Sequence, residues 1–251
     1  MQENYHFFIE VIWYTTHMES SSSESQGAKH ELVHFSSVDI MLNTSLPHLQ
    51  EVRSLVPLFS EGIPPHWTLL GEHDNIFVDK QQQPSFVAKI RESSSASNVR
   101  TLREDEYLKK LSVATHFIRA TNAYNSIAAE ITLSPVIAAI CRSTDATELM
   151  HRFGFKQLSY VEPLLGIIDK KTLQKSMLYP FIPGETIRDE NEQTDRRFMT
   201  LSSTEFLQEM KQLFEKKDII PTDIGATQFI LQHQENNDHL YLIDTEGYYK
   251  K

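Results

Sequence analysis

Residues 203 to 247 carry the most ordered pattern in the chain. Ser202 and Glu205 read as a capping-box start. Phe206, Leu207, Met210, Leu213 and Phe214 then recur at helical spacing, which predicts a helix with one buried face. Ile219 and Ile220 make a short apolar step before a polar loop that carries Asp223. Phe229-Ile-Leu and Leu240-Tyr-Leu-Ile flank the run Gln-His-Gln-Glu-Asn-Asn-Asp-His, the pattern of a β-hairpin with a long polar tip. The hairpin ends on a second acid, Asp244. By residue type alone, Asp223 is a turn residue and Asp244 a strand-end acid on a solvated surface.

Their joint placement has chemical meaning. Phosphoryl transfer needs one carboxylate to orient or deprotonate the attacking hydroxyl and another to hold Mg²⁺ on the nucleotide phosphates. The stretch resembles the catalytic loop and metal-binding segment of the protein kinase-like superfamily, nearest to its aminoglycoside- and choline-kinase-like branch. There the order is His-Gly-Asp-x-x-x-x-Asn, a hairpin, then Ile-Asp-Phe-Glu. The resemblance implies that Asp223 is the catalytic acid, that Gln228 takes the place of the metal-binding Asn, and that Asp244 is the second metal ligand. Pro221 stands where the family has His, Gln228 where it has Asn, and Thr245 where it has Phe.

Upstream, Trp67-Thr-Leu-Leu-Gly, Asn75-Ile-Phe-Val-Asp and Ser85-Phe-Val-Ala-Lys-Ile predict a three-strand meander. It resembles the kinase strand carrying Val-Ala-Ile-Lys and the two strands before it. The resemblance makes Lys89 the cation for the nucleotide phosphates and a second catalytic residue. Only Gly71 is left of a glycine-rich loop, beside Glu72, His73 and Asp74. Residues 91 to 98 read as a Ser-rich loop. Helices are expected from about Thr101 to Thr121 and from about Ala123 to Leu133, and Ser134-Pro-Val-Ile-Ala-Ala-Ile reads as a strand. Of the acids near the slot for a lysine-pairing helix Glu (Glu104, Glu106 and Glu130), none is assigned. A short helix and the apolar Gly166-Ile-Ile-Asp follow, then Lys175 to Ile187 as a strand entering a Pro-Gly turn. This resembles the family's hinge, which implies that the backbone from Tyr179 to Ile182 meets the adenine edge.

Residues 1–66 read as an N-terminal extension: a strand or docked arm, a Ser-rich linker at 19–27, and one or two short helices between 29 and 63 that pack on the first sheet. Residues 67–182 then form a first lobe ending at the hinge. Residues 183–251 form a minimal second lobe, because only four residues follow Gly247. The expected fold is α+β, a two-lobed kinase-like arrangement. Either residues 1–66 or a protein partner makes up what the second lobe lacks.

A net charge of −10 argues against non-specific binding to nucleic acid or an anionic membrane. The single cysteine, Cys141, excludes an internal disulfide framework and reads as a buried, inert thiol. His233 and His239 read as solvated residues of the hairpin tip. No run is expected to reach membrane-spanning length, and the N-terminus lacks the basic start of a signal peptide, so a cytoplasmic location is expected. The resemblance implies an ATP-dependent phosphotransferase using Mg²⁺ or Mn²⁺ and a hydroxyl acceptor. A catalytically inactive pseudokinase that serves as an interaction module is the alternative, and a plain α+β binding domain the reading outside the family.

Overall fold

The computed structural model of the protein describes residues 30–70, 75–79, 85–91, 106–186, 196–222, 224–234 and 237–251. The chain begins with a strand hairpin, β1 (His30–His34) and β2 (Val38–Asn43), closed by a tight turn in which Phe35 N donates to Val38 O at 2.9 Å. One or two short helices are expected between residues 29 and 63, and the structure has them only after this hairpin. Helical geometry is confined to α1 (Leu49–Leu55) and the 3-10 turn Val56–Phe59, because Val38, Ile40 and Leu42 repeat with the period of a strand.

The predicted meander follows as β3 (Thr68–Leu69), β4 (Ile76–Val78) and β5 (Phe86–Arg91). β5 continues through Arg91, where the sequence predicts the start of the Ser-rich loop. Next comes α2 (Glu106–Cys141), a single helix where two helices and a strand were expected. Pro135 lies inside it, although proline removes a backbone hydrogen bond there. The helix continues because Ile137, Ile140 and Cys141 bury against a second core, and tertiary packing outweighs local propensity.

The remaining elements are α3 (Thr144–Arg152), β6 (Gln157–Tyr160), β7 (Leu165–Asp169), β8 (Lys175–Pro180), β9 (Glu185–Thr186), α4 (Arg196–Leu201), α5 (Thr204–Glu215), β10 (Ile219–Pro221), β11 (Phe229–Gln234), β12 (Asn237–Leu242) and β13 (Tyr248–Lys250). The fold is α+β. Among the described residues a seven-stranded antiparallel sheet runs in the order β1-β2-β7-β8-β5-β4-β3. A four-stranded sheet runs β6-β12-β11-β9, with β6 parallel to β12, and β10 pairs with β13.

Both faces of the large sheet are covered, which is why every residue of β2 is buried. On one face Val52, Val56 and Phe59 of the α1 region meet Ile40, Leu42, Ala88, Leu165 and Leu178. On the other, Ala123, Ile127 and Ile131 of α2 meet Met41, Ile168, Met177 and Tyr179. The helix lies so close to the sheet that a Cβ on Gly166 would stand 2.3 Å from Ile127 Cγ2. Buried Asp39 ties the first hairpin to the helix. His34 Nδ1 lies 2.7 Å and Lys170 Nζ 3.0 Å from its Oδ1, and the Tyr124 hydroxyl donates to its Oδ2.

The second core gathers Leu133, Ile137 and Ile140 of α2 with Leu149 and Met150 of α3, Phe206, Met210, Leu213 and Phe214 of α5, and Leu158, Leu231, Leu240 and Leu242 of the small sheet. Phe206 is fully buried, with Phe153, Phe155 and Phe229 at ring-centre distances of 5.2, 6.0 and 5.8 Å. The expected cap on α5 shifts by one residue. Ser203, in extended conformation, accepts from Phe206 N at 3.2 Å through its side chain, so Glu205 falls in the first turn and does not reciprocate. α2 therefore spans both cores. Its segment Ala120–Cys141, 22 residues with mean hydropathy 1.3, has the length and apolarity of a membrane span, contrary to the expectation from sequence.

The segment boundaries expected from sequence do not follow the packing. His30–Asn43 belongs to the large sheet, and α3 and β6 belong to the second core although both precede residue 182.

Candidate functional site

β5 alternates its side chains, so Val87, Lys89 and Arg91 share a face and stand opposite Tyr179, Met177 and Lys175 of β8. That face looks toward α2 and the end of the small sheet. β12 delivers Asp244 there, held by a backbone bond in which Ile243 N donates to Gln228 O at 2.9 Å.

Lys89 Nζ donates to Asp244 Oδ2 in an ion pair. Arg91 Nη1 donates to Asp244 Oδ1 at 3.0 Å and also to Glu246. Arg91 Nη2 donates to both carboxylate oxygens of Glu130, at 2.8 and 3.0 Å, and lies 2.8 Å from the Tyr179 hydroxyl, which donates to Glu130 Oε1. Glu246 N adds a 3.2 Å bond to Asp244 Oδ1. The cluster is graded in exposure: the Arg91 side chain is 2% exposed, Glu130 9%, Lys89 20%, Asp244 22% and Glu246 49%.

Burial and charge compete here. Burial pushes the Glu130 carboxyl above the ordinary glutamate value, against the pull of Arg91. Burial also pushes Asp244 upward, but Arg91 and Lys89 together outweigh it and hold Asp244 below the ordinary aspartate value. Burial would lower Arg91, and the surrounding Tyr179, Glu130, Asp244 and Glu246 raise it instead.

Of the residues marked from sequence, the structure brings Lys89 and Asp244 together. Asp223 and Gly71 lie outside the described residues. Tyr179 is buried, with its hydroxyl committed to the Arg91–Glu130 pair. Ile182 is half-buried beside a cavity of about 280 Å³, lined also by Tyr160, Glu162, Leu164, Pro180 and Tyr241; Lys89 does not line it. Gln228 is buried, and its Oε1 accepts from the Tyr248 hydroxyl at 3.4 Å. Gln228 is thus tied to Asp244 through the backbone, with its side-chain oxygen bonded elsewhere. Thr245, in the family's Phe position, is buried and lies 3.0 Å from the Tyr160 hydroxyl.

Three members of the cluster escaped sequence reading as site residues: Arg91, Glu130 and Glu246. The spacing of Lys89 and Arg91, two apart on one strand, was the available signal for the first. Glu130 is one of the acids near the helix slot, and it pairs with Arg91. His239 also differs from expectation. The ladder runs through the supposed tip, pairing His239 with Gln232, and His239 is buried, stacked on Tyr241 at 4.2 Å, with Nε2 2.9 Å from Ser159 Oγ.

The metal implied by the resemblance does not fit these side chains as they are arranged. Both Asp244 oxygens face cations, and among the described residues no three His, Cys, Asp or Glu side chains form a group that could hold a metal ion. No family model, curated protein or solved structure matches the chain.

Proposed function

We propose that the chain is a divergent, two-lobed kinase-like phosphotransferase. Its phosphate-handling centre is the charge cluster of Lys89, Arg91, Glu130 and Asp244. The observation that carries this reading is the Lys89–Asp244 contact between elements 155 residues apart. The order of elements supports it: a meander ending in the lysine strand, a helix with a buried acid, and a return that sets β8 beside β5. A helix and a hairpin ending on Asp244 complete the series. Catalysis in this class is mainly positioning and charge stabilisation. Lys89, the more exposed cation, is the one that can turn from Asp244 to a nucleotide phosphate. Arg91, closed in by Glu130 and Tyr179, stays to neutralise Asp244. The role of Asp223, orienting an acceptor hydroxyl, rests on its place in the sequence.

A second reading, an inactive kinase-like binding module, is favoured by the engagement of both Asp244 oxygens. Phosphate transfer and ATP-induced thermal stabilisation, measured on wild type, Lys89→Met and Asp223→Ala, separate the two. The phosphotransferase reading expects transfer by wild type, loss of ATP stabilisation in Lys89→Met, and loss of transfer with retained ATP stabilisation in Asp223→Ala. Stabilisation without transfer, to the protein itself or to a panel of small alcohols, selects the binding module. ATP stabilisation that survives Lys89→Met removes both.

A further inference from the structure

We propose that Arg91 is a built-in cation standing where a kinase-like centre holds its divalent metal, and that this charge cluster binds a phosphate ester through Lys89 without one. The three carboxylates that converge here come from α2 (Glu130) and from the segment after β12 (Asp244 and Glu246), and the Arg91 guanidinium donates to each of them. Its planar fork matches their arrangement, because one terminal nitrogen serves Asp244 and Glu246 while the other spans both oxygens of Glu130.

Mg²⁺ needs carboxylate oxygens at about 2.0–2.1 Å in near-octahedral geometry. Asp244 offers neither oxygen free, since Lys89 holds Oδ2 while Arg91 and Glu246 N hold Oδ1. A dication placed there meets the repulsion of Arg91, which stays in place, and of Lys89 while it remains on Asp244, and in a partly buried site that repulsion is poorly screened. Arginine cannot yield by losing its proton. Nor can it swing away without leaving Glu130 charged and unpaired inside the protein, an arrangement proteins avoid. The exposure gradient divides the labour. Lys89, at 20%, is placed to meet the ligand, whereas Arg91, at 2%, is placed to hold the acids. The identity of the ligand rests on the kinase-like reading, but the assignment of Arg91 does not.

The test uses the full chain and Mn²⁺, followed by electron paramagnetic resonance and thermal unfolding. Wild type is expected to bind no Mn²⁺ at this site. Arg91→Met frees Asp244 and Glu246 to turn onto Mn²⁺, which they cannot do while the guanidinium holds them, and is expected to gain it, with a rise in melting temperature of about 5–10 °C at a metal concentration about a hundredfold above the dissociation constant. Asp244→Asn added to that variant should abolish the gain. Should Arg91→Met fail to fold, Arg91→Met with Glu130→Gln removes the unpaired buried charge and leaves Asp244 and Glu246 to bind Mn²⁺ more weakly. In wild type, ATP should stabilise equally in EDTA and in Mg²⁺. Wild-type Mn²⁺ binding that Asp244→Asn removes overturns the proposal, as does a folded Arg91 variant that gains no Mn²⁺. ATP that stabilises only with metal also overturns it and leaves the kinase-like reading standing. ATP that stabilises under neither condition removes the kinase-like reading, and the Mn²⁺ titrations, which need no nucleotide, still decide the role of Arg91.

Discussion

Arg91 and Glu130 form a two-point contact inside the protein, one guanidinium nitrogen lying 2.8 and 3.0 Å from the two carboxylate oxygens. The pair joins a strand of the large sheet to the helix that covers it. It fixes the rotation of α2 against that sheet at the point where Asp244 arrives from the second core. A packing contact between two elements thereby becomes part of the candidate site.

Removing one side of this pair is expected to be severe. Arg91→Ala leaves Glu130 without its cation, with only the Tyr179 hydroxyl bonded to it, which destabilises by about 3–5 kcal/mol. Arg91→Lys recovers little, because a single ammonium cannot span Glu130 and Asp244 together. Urea unfolding measures both. A loss of about 1 kcal/mol or less, the size found for exposed pairs, would show that the cluster does not form in solution.

The two acids held by Arg91, Asp244 and Glu130, predict opposite pH trends. Burial raises Asp244 but Arg91 and Lys89 lower it further, so its folded value is depressed. Its stabilisation is then present above the unfolded value of about 3.9 and lost as pH falls through the folded value. Glu130 is raised by burial, so its contribution is complete below the unfolded value of about 4.3 and declines as pH rises through the folded value. The stability gap between wild type and Asp244→Asn should therefore narrow on acidification, and the gap to Glu130→Gln should widen. Chemical denaturation across an acidic pH series reads both gaps, and parallel trends contradict the assignment.

Cys141 should be chemically silent in the folded protein. It is 3% exposed, and burial pushes its thiol up to about 12, so almost no thiolate exists at neutral pH. An aromatic disulfide reagent is expected to label it only in denaturant, at the rate of unfolding. Fast labelling of native protein would place α2 differently.

The start of α5 can be located by two single substitutions. Ser203→Ala removes the bond to Phe206 N and should cost about 1 kcal/mol. Ser202→Ala should cost far less, because the cap lies one residue on. Equal losses in urea unfolding would return the cap to the earlier position.

Local patterning in the sequence was sufficient for the elements whose period is set by their own neighbours. The buried face Phe206–Phe214, the hairpin ending on Asp244 and the meander carrying Lys89 all follow from residues within one or two turns or one strand of each other. The apolar run from Ser134 to Ile140, which reads as a strand, is helical in the structure. It suits a strand or a helix by composition, and only its burial against α3 and α5 made it the end of α2 despite Pro135. Asp244 could be located in the sequence, but what faces it could not. Arg91 lies 39 residues from Glu130 and 153 from Asp244, so their contact depends on how a strand, a helix and a hairpin dock. The same docking buried His239, expected in a solvated tip, against Ser159 and Tyr241. Backbone period is a short-range property and can be read along the chain. The partner of a buried charge is chosen by long-range packing, and here that packing gave Asp244 two cations.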